Sequence, residues 1–167
     1  MVQDEYVSEK HKNDHEVFSL HEVQPVDPCS GHLVKADATY YDLILKWAKH
    51  FQKEAQLNED EQYITSHVTS SLQAGNVFLW VDDEPVSMTF RERPHKKGIS
   101  IGYVYTPEGL RQHGYATNCV AEVSRRCLRD RYHRCTLFTD VKNPISNSIY
   151  KKIGYQYVCD YVYYEFR

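Results

Sequence analysis

Ile101-Gly102-Tyr103-Val104-Tyr105-Thr106-Pro107-Glu108-Gly109-Leu110-Arg111-Gln112-His113-Gly114-Tyr115-Ala116-Thr117 is the stretch that decides the fold. Its β-branched and aromatic residues read as a strand up to Tyr105, and Pro107 breaks that strand. After Gly114 a stripe of Ala116, Cys119, Val120, Val123 and Cys127 marks one face of an amphipathic helix. A helix N-terminus presents several N–H groups without intrahelical partners and about half a positive charge, which suits a pyrophosphate. Gly114 has no Cβ and Ala116 only a small side chain, so phosphate oxygens can approach the backbone closely; Arg111 would add a bidentate cationic contact. An R-x-x-G-x-A string alone also describes an ordinary exposed helix start. Its position directly between a strand and an amphipathic helix gives it weight.

Upstream, Val77 to Val81 and Pro85 to Phe90 flank the polar Asp82-Asp83-Glu84 and predict an antiparallel hairpin, followed by a third strand over Ile99 to Tyr105. Ile44, Trp47, Ala48, Phe51 and Ala55 recur at helical spacing and predict a core-facing helix over Ala38 to Gln56, with Asp37 before it as a cap. Asn58 as cap, Ile64, Val68 and Leu72 as stripe, and Gly75 as stop predict a second helix. His32 to Lys35 reads as a short first strand. Downstream, Cys135 to Thr139 reads as a buried strand, Ser146 to Ile153 as a short helix, and Tyr155 to Phe166 as a pair of strands around Asp160. Residues 1 to about 15 are charged and aperiodic and read as a flexible end, with Glu16 to Val23 as an extra strand.

The chain of 167 residues, 41% hydrophobic, fits one domain of ordinary size. A net charge of -3 supplies no general attraction to nucleic acid or anionic lipid and favours a small-molecule partner. No segment approaches the roughly 18 apolar residues of a membrane span, and the N-terminus lacks a signal-peptide pattern, so the expected location is cytoplasmic. Five scattered cysteines with no C-x-x-C signal neither a disulfide framework nor a zinc site. His11 and His15 sit in a polar stretch without a further ligand nearby, so no metal is expected.

Taken together, Val104-Tyr105-Thr106-Pro107, Arg111 to Ala116, Asn143, and Tyr150-Lys151-Lys152-Ile153-Gly154-Tyr155 resemble the signatures of the GCN5-related N-acetyltransferases in order and spacing. The resemblance covers roughly Gly31 to Phe166. It implies an α/β (α+β) fold: a central, mostly antiparallel mixed sheet of about seven strands, splayed at the coenzyme site and flanked by about four helices. Residues 1–30 would be an N-terminal extension and 31–167 the acetyltransferase domain.

The resemblance further implies acetyl-CoA as cosubstrate, no metal, and direct transfer of the acetyl group to an amine, in a monomer or homodimer. Main-chain groups of Val104, Tyr105 and Thr106 would pair with the pantetheine arm. Arg111, Gln112, His113, Gly114, Tyr115, Ala116 and Thr117 would hold the pyrophosphate, and Asn143 with Ser146 nearby would reach the pantetheine. Asn147 is read instead as a helix cap. Tyr150 would be the general acid that protonates the departing thiolate, and the N–H of Val104 or Tyr105 would stabilise the oxyanion. Many relatives place a general-base Glu on the central strands, but Ile99 to Tyr105 contains no carboxylate; Glu92, His95, Asp140 and a water chain remain candidates. Trp47, Phe51, Tyr161 and Tyr163 could line an acceptor site, yet their spacing fits an ordinary core better. The acceptor is read as a small primary amine; a protein or peptide amine and a catalytically weak CoA sensor are the alternatives.

Overall fold

Apolar periodicity accounts for most of the elements. The computed structural model describes residues 10–57, 59–140 and 142–165. Its elements are β1 (Lys10–Leu20), β2 (His32–Lys35), α1 (Tyr41–Glu54), α2 (Glu61–Gln73), β3 (Val77–Asp82), β4 (Glu84–Glu92), β5 (Gly98–Tyr105), α3 (Tyr115–Asp130), β6 (Arg134–Asp140), α4 (Pro144–Ile153) and β7 (Gln156–Glu165). Single 3-10 turns at Ala38–Tyr40 and Glu108–Leu110 lead into α1 and toward α3. Asp37 accepts a hydrogen bond from the Thr39 N–H at 2.9 Å and so caps the first of these turns. α2 is capped by Asp60, whose carboxylate accepts from the Tyr63 N–H at 2.6 Å; the expected cap, Asn58, lies outside the described residues.

The seven strands form one sheet in the order β2-β3-β4-β5-β6-β1-β7. Every neighbouring pair is antiparallel except β5 and β6, which α3 joins in parallel as a crossover requires. α3 and α4 cover one face, over Phe18, Leu20, Ile99, Ile101 and Leu137. α1 and α2 cover part of the other, over Val77, Leu79, Met88, Phe90, Tyr103 and Tyr105. Over β3, β4 and β5 the sheet is therefore filled on both sides, as the near-continuous buried runs of those strands demand.

Both chain ends differ from the sequence reading. The expected pair of strands around Asp160 is the single strand β7, since Asp160 stands alone with no Gly, Pro or Asn to turn the chain. The remaining strand comes from the other terminus: β1 starts at Lys10, ahead of the extra strand expected from Glu16, and lies between β6 and β7. Its two halves are used differently. His15 to Leu20 pair with Asp140 to Cys135 of β6, whereas among the described residues Lys10 to Asp14, the charged half, pair only with β7. The apolar half thus enters the body of the sheet, where Phe18 and Leu20 are each 1% exposed.

Because β1 fills an interior slot, weakening it should weaken the whole fold. Phe18→Ala is expected to lower stability by about 3–5 kcal/mol, the usual range for removing a buried aromatic ring, with an unchanged urea m-value. Denaturation followed by circular dichroism checks this; a loss below about 1 kcal/mol would mean the strand is peripheral.

Candidate functional site

β5 and β6 stay paired only from Gly98–Arg134 to Ile101–Leu137. Beyond that point β5 follows β4, with Gly102 opposite Phe90 and Tyr105 opposite Met88, while β6 follows β1, with Phe138 opposite Val17 and Asp140 opposite His15. The two strands part, and the edge of β5 that faced β6 is left open. Such an edge presents peptide N–H and C=O groups that need a partner. An extra residue on β5 between Gly102 and Tyr105 forms a bulge, with Tyr103 in the left-handed region at φ +48.

The three residues expected to pair with an extended ligand have different surroundings. The Tyr105 carbonyl accepts from Ser87 Oγ at 3.2 Å and the Thr106 carbonyl accepts from Arg111 Nε at 2.9 Å. Thr106 Oγ1 donates to Ser87 Oγ at 2.9 Å, tying the end of β5 to β4. Val104, by contrast, is half-buried at the parted edge, its side chain packed against the α3–α4 core.

From Pro107 the chain turns through Glu108–Leu110 into an exposed loop of residues 111–114, with Gln112 at φ +67 and Gly114 at φ +83. The N–H of Asn118 is the first in α3 with a helical acceptor, the Gly114 carbonyl at 3.0 Å. Those of Tyr115, Ala116 and Thr117 point out of the helix end with the loop amides before them, forming a cradle for an anion. Conformation is what demands glycine at 114: a Cβ there would meet only Cys29 and Asn118 at an ordinary 3.5 Å, but left-handed backbone costs other residues about 1–2 kcal/mol.

Contacts on both faces of the sheet hold the cradle. Arg111, which the sequence reading expects at the anion site, also has a protein partner: Nη2 donates to both carboxylate oxygens of Glu54, at 2.8 Å each, and binds the loop to the end of α1. On the other side the Asp82 carboxylate accepts from Ser30 Oγ at 2.6 Å and Tyr115 Oη at 2.7 Å, and these bonds hold its pKa below the usual range. Asn118 Nδ2 donates to the Asp27 carbonyl at 3.0 Å. His113 stacks on Tyr115, with ring centroids 5.5 Å apart. Glu54, Ser30 and Asp82 escaped sequence reasoning because each acts from a distant part of the chain.

At the start of α4, Asn143 Oδ1 accepts from the Ser146 N–H at 3.1 Å, and Pro144 follows as first helical residue. The cap is thus Asn143, and Asn147, read from sequence as a cap, instead joins α4 to β6: its Oδ1 accepts from Thr139 Oγ1 at 2.8 Å. Tyr150, one turn further on, is 8% exposed, lies edge-on to Tyr155 at 6.1 Å and belongs to the core cluster against which Val104 packs. Burial pushes its phenol up to about 12, so it holds its proton at neutral pH.

On the α1–α2 face, Trp47 is buried in the core, 6.0 Å from Tyr105, and Phe51 is half-buried against it, 4.9 Å from Tyr103. Tyr161 is exposed and touches Phe138, and the Tyr163 side chain lies outside the described residues. Among the carboxylates and imidazoles left open as bases, His95 Nδ1 accepts from the Lys97 N–H and Asp140 Oδ1 from the Lys142 N–H, both within turns. Glu92 instead reaches across the sheet to His67 of α2, at 2.9 Å.

With this geometry established, known proteins supply the relationship. Residues 82–164, about half of the chain, match the family model of FR47-like proteins. No curated protein sequence matches significantly. In three dimensions the chain resembles an acetyltransferase of the GNAT family from Colwellia psychrerythraea, with TM-score 0.71 at 10% identity over 95% of this chain and 57% of that one. It equally resembles a GCN5-related N-acetyltransferase from Sphaerobacter thermophilus, with TM-score 0.71 at 16% identity over 95% and 53%. A predicted acetyltransferase from Clostridium acetobutylicum, solved with acetyl-CoA, gives TM-score 0.60 at 18% identity over 75% and 89%. The chain thus spans little more than half the length of the first two. The fold and the family-model match together make this chain a member of the GCN5-related N-acetyltransferase superfamily.

Proposed function

We propose that this chain is an acetyl-CoA-dependent N-acetyltransferase acting on the primary amine of a small molecule. One observation carries the reading: the open edge of β5 at Val104 runs directly into the cradle of free N–H groups at residues 112–117. An elongated ligand with amides at one end and a diphosphate at the other is complementary to that sequence of groups. Gln112, His113, Gly114, Tyr115, Ala116 and Thr117 would hold the diphosphate through main-chain N–H groups. Val104, with Tyr105 and Thr106, would pair with the pantetheine arm, and Asn143 and Ser146 would approach it from α4. On this reading residues 31–167 carry the acetyltransferase module and β1 completes its sheet. Five free cysteines favour a reducing, cytoplasmic location.

The chemistry follows from the same groups. The lone pair of a neutral amine attacks the thioester carbonyl carbon, forming the C–N bond and placing negative charge on oxygen. A β5 N–H at the parted edge stabilises that charge, by about 3 kcal/mol in comparable acyl transfers. The C–S bond then breaks, the thiolate takes the phenolic proton of Tyr150, and Tyr150 regains a proton as the amide nitrogen sheds its surplus one. Arg111 acts at a distance, through Glu54 and the Thr106 carbonyl, by fixing where the loop leaves β5.

Calorimetry should detect acetyl-CoA binding, and Gly114→Val should weaken it at least tenfold, equivalent to about 1.4 kcal/mol, through left-handed strain at the cradle. A chain that binds neither CoA nor acetyl-CoA would end this reading.

Tyr150→Phe should slow acetyl transfer by about 100-fold while leaving the dissociation constant for acetyl-CoA within a factor of two; equal loss of both would remove Tyr150 from the chemistry. The same substitution has a signature in stability. The folded phenol keeps its proton up to about 12 while the unfolded one titrates near 10, so the stabilisation is complete below pH 10 and is lost as pH rises through 12. Stability of the native protein should therefore fall more steeply between pH 10 and 12 than that of Tyr150→Phe. Tyr103, also raised to about 12, supplies a background common to both proteins.

A further inference from the structure

Gly102 stands in the interior of β5 without a left-handed φ to explain it. A glycine there weakens a strand unless something must come close to the backbone. Something does: a Cβ at residue 102 would lie 2.1 Å from Glu92 Oε2 and 2.8 Å from Glu92 Cδ. The carboxylate of Glu92, the last residue of β4, thus fills the space that a side chain on β5 would take.

Around this carboxylate is a built site. His67 Nε2 lies 2.9 Å from Glu92 Oε1, and the His67 ring stands between Tyr63, parallel at 5.9 Å, and Tyr103 at 5.0 Å. Arg93 Nη2 is 3.5 Å from Oε2, with its guanidinium over Phe138. The Glu92 side chain is 11% exposed and that of His67 23%, so the pair is sheltered yet still meets solvent. Gly102 lies two residues before Val104, and the bulge between them keeps the two within about 7 Å, the rise of two extended residues. The carboxylate is thus close to the parted edge, on the α1–α2 side of the sheet.

We infer that Glu92 is the proton acceptor for the incoming amine, supplied across from β4 because β5 has no carboxylate of its own. This deepens the proposed function and rests on it. The amine arrives protonated, since an alkyl amine has a pKa near 10.4. Glu92 takes one N–H proton, leaving the lone pair free to form the C–N bond, and the proton passes by way of His67 to water. Tyr63, exposed and parallel to His67, gives a cationic amine a π face beside the His67–Glu92 pair. A purely structural ion pair joining α2 to β4 is the competing account. Glu92→Gln separates the two, because glutamine retains the volume and still accepts a hydrogen bond from His67.

The test measures thiol release from acetyl-CoA by the whole chain at neutral pH with two probe nucleophiles, methylamine, which is protonated, and hydroxylamine, which is already neutral. With methylamine, Glu92→Gln should lower kcat about 100-fold, leave KM for acetyl-CoA unchanged and keep the thermal midpoint; with hydroxylamine the loss should stay below tenfold. Glu92→Ala combined with Gly102→Glu returns a carboxylate to the same space from β5 and should recover at least tenfold over Glu92→Ala. Equal losses with both nucleophiles, no loss with either, or no recovery in the double variant would overturn the assignment. So would a native chain that binds acetyl-CoA but accelerates neither probe. Failure to bind acetyl-CoA at all is a different result, which removes the acetyltransferase reading itself.

Discussion

The parting of β5 from β6 after Ile101 and Leu137 is the constraint on which the rest of the structure depends. Two strands joined in parallel normally stay paired, and here each is drawn away by its other neighbour. β1 holds β6 antiparallel through Cys135 to Asp140, and β4 holds β5 through the bulge to Tyr105. The resulting gap is not a defect of packing, because the residues below it, Ile99, Ile101, Cys135 and Leu137, are 0–3% exposed. It opens only where the apolar ladder ends. Val104 at the open edge, packed against the core cluster that contains Tyr150, and the loop beyond Pro107 both follow from that one divergence.

Holding a gap open requires anchors, and the anchors here are polar. Glu54 and the Thr106 carbonyl fix Arg111 on one side of the sheet; Ser30 and Tyr115 converge on Asp82 on the other. The Arg111 and Glu54 side chains are 42% and 51% exposed, so their pair contributes at most about 1 kcal/mol to stability. Its consequence is geometric. With Nε on the Thr106 carbonyl and Nη2 on Glu54, the guanidinium holds two different parts of the chain at once and so fixes the direction of the loop leaving β5, which a single charge contact cannot do.

How much of this was legible in the sequence depended on range. The strand-loop-helix at residues 101–117, the helical stripes of α1, α2 and α3, and the Asn143-to-Tyr150 spacing are local patterns, and the structure carries each as an element or a helix start. β1 was misjudged because its place is set by partners more than a hundred residues away, while its own first half looks like a solvated tail. The Glu54 partner of Arg111 was missed because sequence shows a cation beside a cradle but not a glutamate that reaches it from α1. Glu92 stood among several candidates, and His67 was hidden in a polar helix. The available signal was Gly102, a strand glycine with no turn to explain it.

The bulge at Tyr103 joins the two halves of the site. By adding one residue to β5 it lets Gly102 and Tyr103 both address the α1–α2 face, bringing the Glu92 carboxylate over Gly102 while Val104 stays on the α3–α4 side. A tyrosine in left-handed backbone costs about 1–2 kcal/mol. Packing against Phe51 and Phe90 at 4.9 Å, and against His67 at 5.0 Å, with a 2.7 Å hydrogen bond from Gln52, is enough to offset that. The aromatic cluster therefore has a positional consequence beyond stability: with a smaller residue at 103 the bulge would lose what holds it. The spacing between the carboxylate and the open N–H edge would then relax, even with every polar group still present.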